Sequence, residues 1–261
     1  MSLQSINPHN NKLVKAYKED TPKQVEKKLQ TAHRGFFEWR HSSFVQRAAL
    51  LKALAQELLN RKNELANIMA LEMGKPLNKG TVEIEKCAWI CKYYAQHGKQ
   101  MLHDEPIKTG YSKSFITYNP LGVILAIMPW NYPFWQIFRG LAPALMAGNT
   151  MILKHAANVS GCAFAIKKIF DTIQAPTSVF DILLLDYHFI DAIIEHKAIA
   201  AVTLTGSTKA GKAVAAKAGS VLKKSVMELG GSDAYIVLKD ADIQLAAKEC
   251  AGSRLKNGGQ S

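Results

Sequence analysis

Downstream of about residue 110, short apolar segments alternate with amphipathic ones, and this alternation limits the folds open to the chain. Most of the apolar segments are apolar at nearly every position, as in parallel strands that helices cover on both faces. The pattern therefore predicts an α/β fold with a doubly wound, mostly parallel sheet. The predicted strands are residues 115–118, 123–128, 151–153, 180–185, 201–204, 225–229 and 235–238, and the predicted helices between them are residues 133–146, 160–173, 208–218 and 242–257.

The first hundred residues predict long helices at 22–40, 43–73 and 78–101. Thr21 is a favourable N-cap residue, and Pro22 suits the first helical position. Apolar residues recur with a period near 3.6 in the second helix, and Gly74 and Pro76 form an ordinary helix stop. We expect these helices to precede the sheet without a long linker.

The chain has 33 basic and 21 acidic residues, which gives a formal net charge of +12. A net charge of this sign is typical of proteins that bind nucleic acid. The lysines are spread along amphipathic helices, however, so the charge favours an anionic small molecule such as a phosphorylated cofactor. No apolar run reaches the length of about 18 residues that a membrane span needs, and the amino terminus lacks the apolar core of a signal peptide. We therefore expect a cytoplasmic protein with no nucleic acid or membrane partner.

Ligands bind open α/β sheets outside the carboxyl ends of the strands, so residues at the strand-to-helix junctions are candidate site residues. An amide at Asn131 could donate to an oxyanion, and Lys154 could bind a ribose or a phosphate. Gly206 and Ser207, at a helix start, could receive a phosphate, and Glu228 could act as a general base. Each has a plainer alternative, namely a helix cap for Asn131 and Ser207 and a solvated strand end for Lys154 and Glu228.

The four cysteines lie in apolar helical stretches and are expected to be small core residues. No spacing of histidine and cysteine suggests a metal site, so we predict none. The cysteines are Cys87, Cys91, Cys162 and Cys250.

The order of five motifs is more informative than any one of them. PWN at 129–131, LKH at 153–155, TGST at 205–208, ELGG at 228–231 and NGGQ at 257–260 follow one another, and EMGKP stands at 72–76. In this order they resemble the aldehyde dehydrogenase superfamily over residues 21–261. The chain is most similar to the bacterial NAD(P)-dependent succinate-semialdehyde dehydrogenases, in which an arginine stands eight residues after the PWN asparagine, as Arg139 does here.

The resemblance implies a role for each matching residue. Asn131 would hold the oxyanion, Glu228 would be the general base, and Arg139 would bind the distal carboxylate of the substrate. NAD or NADP would be the cofactor, and Ala157 stands where NAD-preferring relatives often carry a glutamate. The implied cofactor-binding residues are Ile127, Pro129, Trp130, Lys154, Ala157, Gly206, Ser207, Leu229 and Gly230.

The resemblance also implies a domain organisation. Residues 1–101 and 121–231 would form the cofactor-binding domain, 102–120 a hairpin for homo-oligomerisation, and 232–261 the start of a truncated catalytic domain. The family's nucleophilic cysteine follows GGQ-x, whereas this sequence stops at Ser261, so we expect the chain alone to be inactive. Two alternatives stay open: an aldehyde dehydrogenase of broad specificity, and a non-catalytic nucleotide-binding module.

Overall fold

A computed structural model describes residues 2–259, in which the chain forms nine strands and nine α-helices. The carboxyl end of the NGGQ motif, with Ser261, lies outside the described residues. In chain order the elements are β1 (Ser2–Ile6), β2 (Leu13–Lys18), α1 (Pro22–Trp39), α2 (Phe44–Asn60), α3 (Lys62–Met73), α4 (Leu77–Met101), β3 (Glu105–Pro106), β4 (Phe115–Ile116), β5 (Val123–Met128), α5 (Trp135–Met146), β6 (Thr150–His155), α6 (Ser160–Thr172), β7 (Phe180–Ile182), α7 (Ile190–Glu195), β8 (Ile199–Gly206), α8 (Thr208–Ser220), β9 (Lys224–Leu229) and α9 (Ile243–Arg254).

The main sheet has five parallel strands in the order β7-β6-β5-β8-β9. Successive side chains of a strand point to opposite faces, so each inner strand contributes to two cores. Val123 and Leu125 of β5 pack in the core with α1, α7 and α8, whereas Ala126 and Met128 pack in the core with α2 to α6. The prediction of a doubly wound parallel sheet is confirmed.

Several predicted elements differ from the structure. The predicted helix 43–73 is two helices, because the chain turns at Arg61 (φ −103°, ψ 11°), whose guanidinium pairs with Glu64 in the first turn of α3. Residues 235–238 are not a strand, since no strand among residues 2–259 lies beside them, and their side chains are exposed. The last helix ends at Arg254, before Asn257 adopts a left-handed conformation.

Two short hairpins lie outside the main sheet. Phe115–Ile116 pairs with Glu105–Pro106 and does not join the parallel sheet as a strand at 115–118 was expected to. The β1–β2 hairpin has no counterpart among the predicted elements. Tyr17 of β2 attaches this hairpin to the rest of the protein, because its hydroxyl donates to the buried carboxylate of Glu72 and its ring stacks on Phe164 of α6.

A buried ion pair holds the amino-terminal end of α5. Glu83 Oε1 accepts hydrogen bonds from the backbone N–H groups of Phe134 and Trp135, each at 2.9 Å. Glu83 Oε2 pairs with the ammonium of Lys75, which also lies 3.9 Å from the centre of the Tyr132 ring. Both side chains of the pair are almost fully buried. Burial lowers the pKa of Lys75, and the Glu83 carboxylate opposes this effect.

We expect Glu83→Ala to destabilise the protein by about 3–5 kcal/mol, because it leaves Lys75 as an uncompensated buried charge. Urea unfolding followed by circular dichroism measures this loss. Glu85 supplies the matched control, since it also lies on α4 and pairs with a lysine, Lys62, but in solvent. Glu85→Ala should cost less than about 1 kcal/mol. Equal losses in the two variants would contradict a structural role for the buried pair.

Candidate active-site cleft

The strand order creates a topological switch point between β5 and β8, where the connections leave in opposite directions. The rule for open α/β sheets places ligands in the crevice outside the carboxyl ends of these strands. A cavity of about 420 Å³, which we call the first cleft, opens there. Nine of the twelve predicted site residues line it, namely Pro129, Trp130, Asn131, Arg139, Gly206, Ser207, Glu228, Leu229 and Gly230.

A second cleft of about 370 Å³ lies at the same end of the sheet, between β5, β8 and α8. The predicted residues Ile127 and Lys154 line it, with Tyr187, His188 and Asp191 on the opposite wall. Burial lowers the pKa of Lys154, and the Asp186 carboxylate opposes this. Ala157 is the one predicted site residue that lines neither cleft; it begins a 3₁₀ turn directly after β6.

The loop that carries Asn131 is fixed at both ends. Met128 ends β5, and the first N–H groups of α5 are held by Glu83 as described above. His155, fully buried, lies between the two ends, with Nδ1 3.1 Å from the Met128 carbonyl and Nε2 3.0 Å from that of Pro133. The Oδ1 atom of Asn131 is buried without a hydrogen-bond partner, which leaves Nδ2 as the group that can donate into the cleft.

Arg139 lies on α5, at one wall of the first cleft, and contacts residues at the ends of two strands, β8 and β9. Its Nη2 atom is 3.4 Å from Glu228 Oε2 at the end of β9, and it donates to Thr205 Oγ1 at 3.3 Å. About half of the Glu228 side chain is exposed (53%), so the carboxylate is hydrated rather than desolvated. Within the described residues β9 is the edge strand of the sheet, and this position leaves the carboxylate exposed. The structure brings Glu228, the predicted general base, close to Arg139, the residue predicted to bind the substrate carboxylate.

Gly206 and Ser207 form the start of α8 at the mouth of the first cleft. Ser207 is the N-cap, and its hydroxyl accepts from the backbone N–H of Ala210 at 3.2 Å. A side chain at Gly206 would meet only Leu204, at an ordinary distance of 3.5 Å, so internal packing does not require glycine there. A helix start with free N–H groups and an open glycine suits an anionic ligand.

The sequence interpretation missed three residues that line the first cleft, Gln136, Thr205 and Gly231, and a fourth, Asn257, that contacts the Asn131 loop. Gln136 Oε1 is buried without a partner. Asn257 Nδ2 donates to the backbone carbonyl of Asn131 at 3.0 Å. The position of Gln136, three residues before Arg139 on the same helical face, could have indicated it. No sequence pattern predicts the contact of Asn257, which spans 126 residues.

None of the four cysteines lines the first cleft. Cys87, Cys91 and Cys162 are fully buried, and burial raises the pKa of each thiol. Cys250 lies beside Tyr235 in a separate pocket. Within residues 2–259, no group of three or more His, Cys, Asp or Glu side chains could hold a metal ion, and no helix is long and apolar enough to cross a membrane.

Parallel strands in this order, with clefts on both sides of the switch point and a glycine at a helix start, are typical of dinucleotide-binding α/β proteins. The comparison of sequences is more specific. Residues 1–261 match the aldehyde dehydrogenase family, and the chain belongs to that family.

Several of the relatives most similar to this chain share a narrower description. The chain is 45% identical over all 261 residues to a probable NADP⁺ succinate-semialdehyde dehydrogenase of Synechocystis sp., and covers 58% of it. It is 46% identical over 236 residues, 90% of the chain, to the NAD(P)⁺ succinate semialdehyde dehydrogenase Sad of Escherichia coli, covering 51% of that protein. The solved succinic semialdehyde dehydrogenase of Streptococcus pyogenes, in complex with NADP⁺, is 34% identical with a TM-score of 0.95, over 99% of this chain and 57% of that one. The chain thus spans little more than half the length of these proteins.

We expect the protein to lose stability as the pH falls from 6.5 towards 4, because burial lowers the pKa of His155 to about 4. The unfolded chain binds a proton on this ring near pH 6.5, whereas the folded chain does so only near pH 4. Unfolding is therefore favoured over this interval, by up to about 3 kcal/mol at its acid end. Urea unfolding at pH 7, 5.5 and 4.5 measures the loss.

His155→Gln should flatten this pH dependence, since glutamine does not titrate. His41→Gln is the matched control, because His41 is exposed at the surface, and this variant should keep the pH dependence of the original chain. If both variants keep the dependence, the titration of His155 is not its cause.

Proposed function

We propose that the chain supplies the amino-terminal, cofactor-binding portion of an NAD(P)-dependent dehydrogenase that oxidises succinate semialdehyde to succinate. The observation that carries this proposal is the position of Arg139, whose guanidinium lies beside Glu228 in the first cleft, which Asn131 also lines. A guanidinium can bind a carboxylate through two parallel hydrogen bonds, and succinate semialdehyde has a carboxylate at the end distant from the aldehyde. The names of the relatives agree with this substrate.

The side chains of the first cleft divide the chemistry among themselves. Asn131 Nδ2 donates to the oxygen of the aldehyde carbon when that oxygen acquires negative charge. The nucleophilic cysteine would add to the aldehyde carbon, and transfer of hydride to the cofactor would leave a thioester on that cysteine. Glu228, half exposed at its strand end, takes a proton from the water that hydrolyses this thioester to succinate. Because Glu228 pairs with Arg139 when no substrate is bound, the substrate carboxylate replaces it there and releases it for this task. The nucleophile would be a cysteine that these 261 residues do not place in the cleft.

The proposed cofactor-binding site lies along the rim between the two clefts. Lys154 and Ile127 would hold the adenosine side in the second cleft, and Gly206 and Ser207 would receive the pyrophosphate at the start of α8. Pro129, Trp130, Leu229 and Gly230 would line the path of the cofactor between them. When bound, NAD(P)⁺ would supply the hydride acceptor.

We also propose a domain organisation, an oligomerisation element and a cellular location. Residues 1–101 and 121–231 would form the cofactor-binding domain, and segment 232–261 would begin the catalytic domain. The hairpin within 102–120 would serve homo-oligomerisation, and the protein would act in the cytoplasm.

Arg139→Leu tests the proposed substrate. The enzyme assayed is the extended chain, in which residues 1–261 are joined to the carboxyl-terminal portion of the Synechocystis relative. Loss of a charge-assisted pair costs about 1.5–3 kcal/mol, so we expect at least a tenfold rise in KM for succinate semialdehyde. The KM for butanal, which has no carboxylate, should change less than about threefold. NADPH absorbance gives both values.

Equal effects of Arg139→Leu on the two aldehydes would reject the assignment and favour an enzyme of broad specificity. A lack of aldehyde oxidation by the extended chain, despite nucleotide binding, would favour a non-catalytic nucleotide-binding module. The 261-residue chain alone should form no NADPH, because no thiol lies in the first cleft.

Cofactor choice is a separate expectation. Ala157 offers no carboxylate to repel a 2′-phosphate, and Lys154 in the second cleft favours one. His155, next to Lys154, adds no positive charge at neutral pH, because burial lowers its pKa to about 4 and its ring lies between two backbone carbonyl groups. We expect kcat/KM of the extended chain with NADP⁺ to lie within about tenfold of that with NAD⁺.

Asp191 is the one carboxylate that lines the second cleft. Asp191→Asn should therefore shift the ratio of the two kcat/KM values further towards NADP⁺, because it removes the charge that opposes the 2′-phosphate. A hundredfold preference of the unsubstituted enzyme for NAD⁺ would show that the argument from Ala157 is wrong.

A further inference from the structure

Asn257 is the only buried residue in the stretch from 230 to 259. The apolar side chains of this stretch are exposed, including Ile236, Leu238 and Ile243, whereas Asn257 retains 6% of its accessible surface. A segment that follows a sheet is ordinarily attached through apolar side chains, because their burial is favourable. Here the buried point is a polar amide, which costs free energy unless it is hydrogen-bonded. The Nδ2 atom of this amide has a partner, whereas its Oδ1 atom is buried without one.

Asn257 forms its hydrogen bond with the Asn131 loop of the first cleft. Its Nδ2 atom donates to the backbone carbonyl of Asn131 at 3.0 Å, and only the nitrogen end of an amide can donate to a carbonyl. This bond fixes the plane of the peptide group between Asn131 and Tyr132. The bond thereby restrains the backbone from which the Asn131 side chain projects.

The backbone at Asn257 is shaped for this contact. Asn257 has φ 48° and ψ 46°, and the two glycines that follow, Gly258 and Gly259, also have positive φ. Asparagine adopts this left-handed region more readily than most residues that carry a side chain. Glycine would adopt it more readily still but has no amide to donate, so the residue type satisfies both requirements.

We propose that Asn257 is a positioning residue that joins the segment at 256–259 to the Asn131 loop, and so sets the orientation of the Asn131 amide in the first cleft. The catalytic part of this inference rests on the proposed function, in which Asn131 donates to the oxyanion. Small displacements of such a donor cost large factors in rate, because its stabilisation depends on a preset geometry.

Three variants of Asn257 distinguish the contribution of its hydrogen bond from that of its backbone conformation. Asn257→Asp keeps the size and the left-handed preference but cannot donate, Asn257→Gly keeps only the backbone freedom, and Asn257→Ala keeps neither. Asn67→Asp is the matched control, because Asn67 Nδ2 also donates to a backbone carbonyl, that of Asn63, at 3.0 Å, but on the exposed surface of α3.

The first measurement is hydrogen–deuterium exchange of the 261-residue chain. We expect exchange in residues 129–136 and 243–259 to be at least about tenfold faster in all three Asn257 variants, and unchanged there in Asn67→Asp. Unchanged exchange in Asn257→Asp and Asn257→Gly would overturn the anchoring role, whatever the protein catalyses.

The second measurement is the steady-state kinetics of the extended chain with succinate semialdehyde. Asn257→Asp and Asn257→Gly should lower kcat by about 10–100-fold, with KM changed less than about threefold, because the substrate carboxylate still meets Arg139. If Asn257→Gly keeps the original kcat, the backbone conformation suffices and the positioning role is wrong. If the unsubstituted extended chain oxidises no aldehyde, the proposed function fails, the catalytic part of the inference falls with it, and the exchange data alone decide the anchoring role.

Discussion

The geometry of the first cleft depends on a carboxylate buried beneath it. Glu83 accepts the first backbone N–H groups of α5 and is neutralised by Lys75, so the helix that carries Arg139 begins at a fixed point. Glu72 does the same for α6, accepting from the N–H groups of Gly161 and Cys162. Both glutamates come from the helical layer that precedes the sheet. The long amino-terminal helices therefore hold the starts of the helices that follow β5 and β6.

The charged residues that support the first cleft and the charged residues that line it differ in their exposure to water. The supporting pair, Lys75 and Glu83, is almost fully buried, whereas Arg139 and Glu228 are one third and one half exposed. A buried pair is costly to break when one partner is removed, and an exposed pair exchanges partners at little cost. A cleft built in this way keeps the position of its helix while its charged side chains change partners.

The sequence predicted the parts of the fold that depend on local pattern. The β5 and β8 strands are recognisable because their residues are apolar on both faces, and the strand-end rule led to Asn131, Glu228 and Gly206. Residues 235–238 have the same composition but no neighbouring strand within the described chain, and a strand is defined by its partner. The contacts of Glu83 and Asn257 with the α5 end of the cleft were not predicted, because they join residues 51 and 126 positions apart.

The position of β9 has a consequence for handling the chain in solution. Within residues 2–259 it is the last strand of the sheet and pairs only with β8, and Val226 and Leu229 on it are exposed. An open edge of this kind presents unpaired backbone groups to any extended peptide, and charged residues are the usual protection against such pairing. Here only Lys224, and Glu228 at the other end, flank the apolar positions. In the 261-residue chain we therefore expect intermolecular strand pairing to begin at this edge.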